Sequence, residues 1–183
     1  LPKKEKNIGE ALSPYAFTKQ INETYVNIFY NLYGLKSIGL RYFNVFGKNQ
    51  NPNGSYAAVI PKWIIAMINN EKINIYGDGK TSRDFCFIEN VVLANILSAI
   101  IPNIYNKIYN VANSNRISLN TLFKEIKKNL NLNGLKYLKK PIYKNFREGD
   151  IKHSLADINR IKKDLKYKPI HNFESGIKKL VPW

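Results

Sequence analysis

The chain has 183 residues, 44% hydrophobic and 13% aromatic, which is enough apolar material for one folded domain and excludes a disordered tail. Its net charge is +16, but only five of the 29 basic residues are arginines; the other 24 are lysines scattered along the chain, so we interpret them as solvated surface and expect no nucleic-acid partner. No apolar run approaches the about 20 residues that cross a membrane, and the single cysteine excludes an internal disulfide and fits a reducing cytoplasm.

The first part of the chain predicts a helix, a strand and a loop. Ser13 and Pro14 are the residue types of an N-cap and a first helical turn, and the apolar spacing that follows is helical up to a stop at Gly34. The stretch KSIGLRYFNVFG then predicts a strand, and the Asn, Pro and Gly residues that come next predict a loop.

The rest of the chain alternates between the two periodicities. Two strands are predicted to form a hairpin around the turn Gly77-Asp78-Gly79, and KIYNVAN predicts another strand. Helices are predicted at AAVIPKWIIAMINN, ENVVLANILSAII, SLNTLFKEIKKNLN, LADINRIKKDL and FESGIKKL. This alternation predicts an α/β fold with a parallel sheet covered by helices. The two histidines stand far apart in the sequence, so no metal site is expected.

Tyr15 and Lys19 are four residues apart, so they share one face of the first predicted helix. At about 6 Å and an effective dielectric constant of about 20, an ammonium attracts a phenolate by roughly 3 kcal/mol. That attraction makes a tyrosine useful as a general base near neutral pH. The same spacing occurs by chance on many helices, so the pair alone does not decide between chemistry and surface decoration.

The surrounding motifs narrow the choice. The tyrosine helix is followed by a strand that ends in Arg-Tyr-Phe-Asn at residues 41–44. Further along come AAVIPKWI, IYGDGKTSRDFCFIENVV and REGDIKHSLADI. In this order they cover nearly the whole chain, which resembles the extended short-chain dehydrogenase/reductases that act on nucleotide sugars. The closest group is the UDP-N-acetylhexosamine 4-epimerases, including the branch that also accepts the uronic acid.

The resemblance implies a tightly held NAD and roles for three residues around it. Tyr15 would be the catalytic base and Lys19 would bind the nicotinamide ribose. Tyr15 would take the proton of the sugar 4-hydroxyl while C4 passes hydride to the cofactor, and the 4-keto sugar would rotate before hydride returns to its other face. Tyr42 would lie beside the nicotinamide, although a core tyrosine is a competing interpretation.

The resemblance also implies a UDP-sugar site. Asn44 would bond the diphosphate end, and Arg83 and Arg147 would hold phosphates, for which the planar guanidinium is suited. Asp150 would hold the uridine ribose hydroxyls. The helix against the uracil and phosphates and the strand beside it would contribute Val59, Lys62, Trp63 and Tyr76. For Asn44, Trp63, Tyr76 and Asp150, a purely structural role remains the alternative.

Ser154 matches a position that controls access beside the C2 substituent of the sugar. Its small side chain leaves room for an N-acetyl group, so we expect interconversion of UDP-GlcNAc and UDP-GalNAc for polysaccharide or glycan precursors. The argument is permissive, because extra room does not exclude plain glucose. The epimerase interpretation requires Tyr15, Arg83 and Arg147 to surround one common cavity.

The resemblance implies the latter part of an NAD(P)-binding Rossmann-type parallel sheet plus a smaller mixed α/β lobe for the nucleotide sugar. Residues 1–56 would end the dinucleotide-binding domain, and residues 57–183 would form mainly the substrate lobe, with some segments returning to the sheet. The sequence contains no Gly-x-Gly-x-x-Gly turn. We therefore expect the N-terminal NAD-binding half to be absent and this chain to be inactive alone. A homodimer is expected through the Tyr15–Lys19 helix, with Ile21, Tyr25, Ile28 and Leu32 as its face.

Three alternatives remain open. The chain could belong to a nucleotide-sugar 4,6-dehydratase of the same superfamily, although His153-Ser154 after the late Arg-x-x-Asp segment favours the epimerase. It could be a non-catalytic remnant that binds a UDP-sugar. Nucleic-acid binding by charge alone would show a steep dependence on salt.

Overall fold

The computed structural model describes residues 1–11, 13–53, 58–146 and 151–181. Within these ranges the helices are Pro14–Tyr33 (α1), Val59–Ile68 (α2), Ile88–Ile100 (α3), Leu119–Leu132 (α4), Asn159–Leu165 (α5) and Phe173–Leu180 (α6). The strands are Ile38–Tyr42 (β1), Val45–Phe46 (β2), Asn74–Tyr76 (β3), Ser82–Arg83 (β4), Cys86–Phe87 (β5), Lys107–Val111 (β6), Ile117–Ser118 (β7) and Ile142–Lys144 (β8).

The strands pair mostly in parallel, which confirms the predicted α/β class. β1 pairs with β6, β2 with β5 and β3 with β8, all in parallel, and β4 pairs with β7 antiparallel. Parallel pairs need long crossovers, and the helices between the strands provide them.

The strands on either side of Gly77-Asp78-Gly79 form, but the expected hairpin between them is wrong. β3 pairs with β8 and β4 pairs with β7, so the two strands that flank the turn do not pair with each other. The backbone groups of the turn bond elsewhere: the Gly77 N–H donates to the Lys144 carbonyl and the Asn120 N–H donates to the Gly79 carbonyl.

The ends of α1 follow the predicted signals. Ser13 is extended and its hydroxyl accepts the Ala16 N–H, while Pro14 is the first helical residue. Gly34 closes the helix in the left-handed region, with φ of 66°. These two residue types suit those positions for local steric and hydrogen-bonding reasons, which is why the sequence places the ends correctly.

Two hydrophobic cores organise the described residues. The first lies among α2, α4 and α6 and includes a cluster of phenylalanines, Phe46, Phe85, Phe87 and Phe173. The second surrounds β6 and is covered by α3 and α5, with fully buried Tyr109 and Tyr167.

α1 belongs to neither core and has no buried residue. Polar contacts attach it to the rest of the chain: Arg41 of β1 forms a two-pronged ion pair with Glu23, at 2.7 and 2.8 Å. Hydrogen bonding to Glu23 raises the pKa of Arg41, so the guanidinium stays charged at any physiological pH. Neighbouring residues of a strand point to opposite faces, so Tyr42, whose hydroxyl bonds Asn95 of α3, points away from α1.

In the part of the chain that the structure describes, no helix is long and apolar enough to cross a membrane.

Candidate active site

One cavity of about 360 Å³ lies between α2, β3 and the segment that joins β4 to β5. Six of the residues predicted to bind substrate line this cavity: Asn44, Val59, Lys62, Trp63, Tyr76 and Arg83. They come from four separate stretches of the sequence, and the fold brings them together around one space.

α2 supplies one wall of the cavity. Val59 and Trp63 are four residues apart, and Lys62 is three residues from Val59, so the three side chains share one helix face. Trp63 is 8% exposed and packs edge-to-face on Phe123 of α4, with ring centroids 6.3 Å apart. Trp63 therefore lines the cavity and also belongs to the first core, so both interpretations of this residue describe its position.

Asn44 sits at the turn between β1 and β2 with a left-handed backbone, φ 35°. Its side-chain amide donates to the Asp84 carbonyl at 3.0 Å, and its own carbonyl accepts the Cys86 N–H. The amide nitrogen thus satisfies the local backbone, as the structural interpretation expected, while the residue still borders the cavity.

Arg83 places its guanidinium between the cavity and the segment that carries Ser154. One of its nitrogens donates to the carbonyls of Ser82 and Lys152, at 3.1 and 3.3 Å. These contacts hold a positive charge at the cavity wall, where an anionic ligand would meet it.

Ser154 lies next to the cavity wall without lining it. The residue is buried, and its N–H donates to the Ser82 carbonyl at 3.0 Å. Ser82 is tied to the same segment through its hydroxyl, which is 2.9 Å from His153 Nδ1. The predicted residues Arg147 and Asp150 lie outside the described residues.

Tyr15 and Lys19 lie close together on α1, but the structure does not bring them to the Arg83 cavity. The Lys19 ammonium is 5.0 Å from the centre of the Tyr15 ring, and both residues are exposed. Neither lines the cavity, and Tyr42 points to the opposite face of the sheet toward Asn95. The common cavity that the sequence interpretation required is therefore not formed by the described residues.

Asp84 is a polar centre that the sequence analysis passed over. The residue is fully buried; its Oδ1 accepts the Asn113 N–H and its Oδ2 accepts the Ala156 N–H, both at 3.1 Å. Burial raises the pKa of Asp84 to about 6, and the hydrogen bonds from backbone N–H groups oppose that rise. An ionisable residue inside the apolar run DFCF was a signal that could have found it.

The residues that would hold NAD are few in this chain. The Tyr15 hydroxyl and Lys19 ammonium are exposed side by side, which fits contact with the hydroxyls of a bound ribose. Phosphates of a dinucleotide favour a Gly-rich turn at a helix N-terminus, and the sequence has no such motif. The described residues therefore fit one end of the cofactor only.

Comparison with known proteins shows the family to which this chain belongs. The model of the NAD dependent epimerase/dehydratase family matches residues 2–112, which is more than half of the chain. A UDP-N-acetylglucosamine 4-epimerase from Methanobrevibacter ruminantium, solved with UDP-N-acetylmuramic acid, is 42% identical and superposes with a TM-score of 0.89; the match covers 100% of this chain and 57% of that one.

Two further similar proteins are named as UDP-glucose 4-epimerases, one of them as putative. A UDP-glucose 4-epimerase from Thermotoga maritima, solved with UDP-glucose, is 35% identical with a TM-score of 0.90, over 99% of this chain and 56% of that one. A putative UDP-glucose 4-epimerase from Methanocaldococcus jannaschii is 35% identical over 100% of this chain and 57% of its own length. The chain thus spans little more than half the length of these relatives. Its fold is the corresponding part of their Rossmann-type α/β fold, and the chain belongs to the NAD dependent epimerase/dehydratase family.

Proposed function

We propose that this chain is the substrate-binding part of a UDP-sugar 4-epimerase that interconverts UDP-GlcNAc and UDP-GalNAc, or their uronic acid forms. The products would serve polysaccharide or glycan synthesis in the cytoplasm. The observation that carries the proposal is the single cavity lined by six residues that motif matching had selected for a nucleotide sugar.

The chemistry of the cavity suits a nucleoside diphosphate. Trp63 and Tyr76 offer aromatic surface for a base, while Lys62 and Arg83 offer positive charge for a diphosphate. Ser154 is small and buried, and its N–H donates to the Ser82 carbonyl of β4, next to Arg83. A side chain of this size would leave space beside a bound sugar.

The tyrosine and lysine of α1 would handle the proton. NAD, when bound, supplies the hydride acceptor and donor for the sugar carbon C4. The Tyr15 oxygen would take the proton of the sugar 4-hydroxyl and later return it. The ammonium of Lys19, 5.0 Å from the Tyr15 ring centre, would stabilise the phenolate through its positive charge.

These described residues also favour a narrower statement, that this chain binds a UDP-sugar but does not turn it over alone. Tyr15 and Arg83 do not share a cavity, and the proton acceptor is therefore not placed at the proposed ligand. Incubating the chain with NAD and UDP-GlcNAc should give no UDP-GalNAc by chromatography. Robust epimerisation would refute this statement.

A surface beside β1 fits the separate NAD-binding half that we propose as a partner of this chain. Within the described ranges β1 pairs with β6 alone, so its other edge carries no strand. Beside that edge lies an open groove of about 590 Å³ against the C-terminal end of α3, and Ile38, Leu40 and Ala99 are among its walls. The hydroxyl oxygen of Ser37, also on this groove, is buried without a hydrogen-bond partner among the described residues.

α3 adds an apolar stripe to this surface. Ile88, Val92, Ile96 and Ile100 follow one another at intervals of four residues, and each is between 39% and 66% exposed. A free parallel edge flanked by an exposed apolar helix is what an incoming strand with its own covering helix would bury. We propose that this surface receives the α/β NAD-binding half.

The homodimer we propose would use a different surface. Tyr25, Ile28 and Leu32 are between 41% and 67% exposed and lie roughly 140–200° around α1 from Glu23, which faces β1. Ile21 joins the same side of the helix. A second copy of α1 could therefore pack on this stripe without blocking the β1 edge.

The two surfaces can be tested separately by sedimentation. The chain should form a 1:1 complex with the part of the Methanobrevibacter enzyme that it does not match, and Ile96→Glu should weaken that complex while Leu132→Glu, on a 74% exposed leucine of α4, should not. Leu32→Glu should dissociate the homodimer, and Leu138→Glu, on a 77% exposed leucine, should leave it intact.

The proposed ligand is tested by calorimetry with UDP. Wild-type chain should bind UDP, and Arg83→Ala should weaken binding at least tenfold because a phosphate contact is lost. The matched control is Arg116→Ala, since Arg116 is exposed and does not line the cavity. Absence of UDP binding by the wild-type chain, or equal loss in both variants, would overturn the proposed site.

A further inference from the structure

Asp84 links three segments of the chain at the back of the proposed ligand cavity. It stands directly between β4 and β5, and its two carboxylate oxygens accept one N–H from the loop after β6 and one from the segment that follows Ser154. We propose that Asp84 is a positioning residue that clamps residues 152–156 against β4, and thereby sets where Ser154 stands relative to Arg83. The clamp is independent of ligand identity; its consequence for sugar choice rests on the proposed function.

The clamp has two sides, and the backbone provides the first. The Ser82 N–H donates to the Lys152 carbonyl, and the Ser82 carbonyl accepts the Ser154 N–H, both at 3.0 Å. These bonds pair β4 with residues 152–156, called the late segment below, beside the cavity. They end at Ser154. The Leu155 carbonyl then accepts the Lys3 N–H at 2.8 Å, and Asp84 Oδ2 accepts the Ala156 N–H at 3.1 Å.

The second side is the loop after β6. Asp84 Oδ1 accepts the Asn113 N–H, while the Asn113 side chain donates to the Phe85 carbonyl at 2.9 Å. The Ser114 hydroxyl donates to the Ala156 carbonyl at 3.1 Å, so the loop and the late segment also contact each other. The carboxylate lies where these two segments meet.

The same residue holds the other side of the cavity through its main chain. The Asp84 carbonyl accepts the amide of Asn44, which lines the cavity, and the neighbouring residue Arg83 lines it as well. The main chain of Asp84 is therefore tied to the two cavity residues Asn44 and Arg83, while its carboxylate is tied to the segment that carries Ser154.

A carboxylate is the group that this position requires. Both of its oxygens meet N–H donors, and asparagine would direct an NH₂ group at one of them, which leaves two donors facing each other. Substitution by asparagine keeps the size and removes only the second acceptor, so it is the sharpest probe of the clamp.

Two other titratable residues, Cys86 on β5 and Tyr167 after α5, interact electrostatically with Asp84. Burial raises the pKa of each, that of Cys86 to about 12. Both are therefore neutral near pH 6. On the late segment, His153 bonds the Ser82 hydroxyl and Asp157 accepts the Asn159 N–H, so each has its own partner.

The test measures amide hydrogen exchange by NMR on the full chain. In Asp84→Asn the Ala156 amide should exchange at least tenfold faster than in the wild type, while Ile126 in the first core should change little. The matched control is Asn90→Ala, which removes another fully buried hydrogen-bonding side chain that contacts Asn113 but not the late segment. Unchanged exchange at Ala156 in Asp84→Asn, or equal acceleration in the control, would overturn the clamp.

A second measurement decides the case if Asp84→Asn does not fold. In the wild-type chain the amide proton shifts of Asn113 and Ala156 should titrate together with one midpoint near pH 6, because both donate to one carboxylate. Independent midpoints, or no titration, would reject the shared clamp.

The consequence for the ligand is read by calorimetry. Asp84→Asn should bind UDP within about twofold of wild type, while the ratio of affinities for UDP-GlcNAc and UDP-glucose should change at least threefold, because Ser154 moves relative to Arg83. An unchanged ratio together with faster Ala156 exchange would reject the effect on sugar choice. If the wild-type chain binds no UDP, the proposed function fails, and the exchange experiment still decides the clamp.

Discussion

The helices α1 and α2 differ in how many of their residues are buried. α2 has ten residues and buries five of them, Ile60, Pro61, Trp63, Ile64 and Met67. α1 has twenty residues and buries none, although it carries more large apolar side chains than a solvated helix needs. α2 therefore completes a core, whereas α1 leaves its apolar side chains exposed.

The outer edges of the paired strands β1 and β6 also differ in what covers them. The edge of β6 that faces away from β1 is covered by other segments: the Asn110 N–H donates to Glu5, and the Asn110 side chain donates to the Lys3 and Asp157 carbonyls. β1 has no strand on its outer edge within the described ranges. Open backbone groups on a strand edge are a template for further pairing, so this edge is where the NAD-binding half that we propose would add a strand.

The largest expected effect compares the same substitution in the two helices. Ile64→Ala removes a fully buried side chain of α2 and should lower the free energy of unfolding by about 2–5 kcal/mol. Ile28→Ala alters a residue of α1 that is 41% exposed, and in the monomer, at low protein concentration, it should change this free energy by less than about 0.5 kcal/mol. Urea unfolding followed by circular dichroism measures both values.

Equal losses in the two variants would show that α1 is packed in solution, for example against a second copy. Repeating the Ile28→Ala measurement over a range of protein concentrations separates these cases, because only a dimer contact makes its effect depend on concentration.

A second prediction concerns Asp84 and pH. The carboxyl keeps its proton to about pH 6 in the folded chain, against an ordinary value of 3.8 for its pKa. The folded state then binds more protons between these values, so the free energy of unfolding should fall as pH rises through this window, by about 3 kcal/mol at most. Urea unfolding at several pH values should show this slope in the wild type and lose it in Asp84→Asn.

Glu89 provides a control of opposite sign. Its bond to the Lys179 ammonium lowers the pKa of Glu89, so its contribution is present above the unfolded value and is lost as pH falls. Glu89→Gln should therefore remove a slope that rises with pH. Because Glu89 is largely exposed, the effect should be small.

The sequence predicted the elements better than their pairing. The helix ends at Ser13 and Gly34 depend on neighbouring residues, so local signals placed them correctly. The partner of β3 is β8, three residues long and far away in the sequence, and no local pattern announces such a strand. The expected hairpin was wrong for this reason.

The site shows the same limit. Motif matching selected six side chains that line one cavity, because each motif had a fixed place in a known fold. It also expected Tyr15 at that cavity, a placement that depends on a wall that the described residues do not form. Asp84 was missed because its role comes from two N–H groups brought to it by distant segments.

A third prediction compares glycines in the two regions. A Cβ at Gly176 of α6 would lie 2.8 Å from Phe46 and 3.0 Å from Phe87. Gly176→Ala should therefore lower the free energy of unfolding by about 1–3 kcal/mol through overpacking, despite the better helix propensity of alanine. Gly34, which follows the last residue of α1, has open space around it, so only its left-handed backbone opposes a Cβ. Gly34→Ala should therefore lower the free energy of unfolding by about 1 kcal/mol. Calorimetric melting temperatures that rise for Gly176→Ala would contradict the tight packing of α6.

The smallest expected effect compares two serine caps. Ser13 and Ser118 each accept a backbone N–H at the start of a helix, and replacing either by alanine removes a bond worth about 1 kcal/mol. α4 contributes four residues to the first core, so Ser118→Ala should lower the global free energy of unfolding by that amount. α1 can fray without opening a core, so Ser13→Ala should leave the global transition in place and instead accelerate amide exchange in the first turns of α1. Dimerisation through α1 should abolish this difference, because a packed α1 would then transmit the loss of its cap to the whole fold; a Ser13→Ala variant that behaves identically at low and high protein concentration would argue against the proposed α1 dimer.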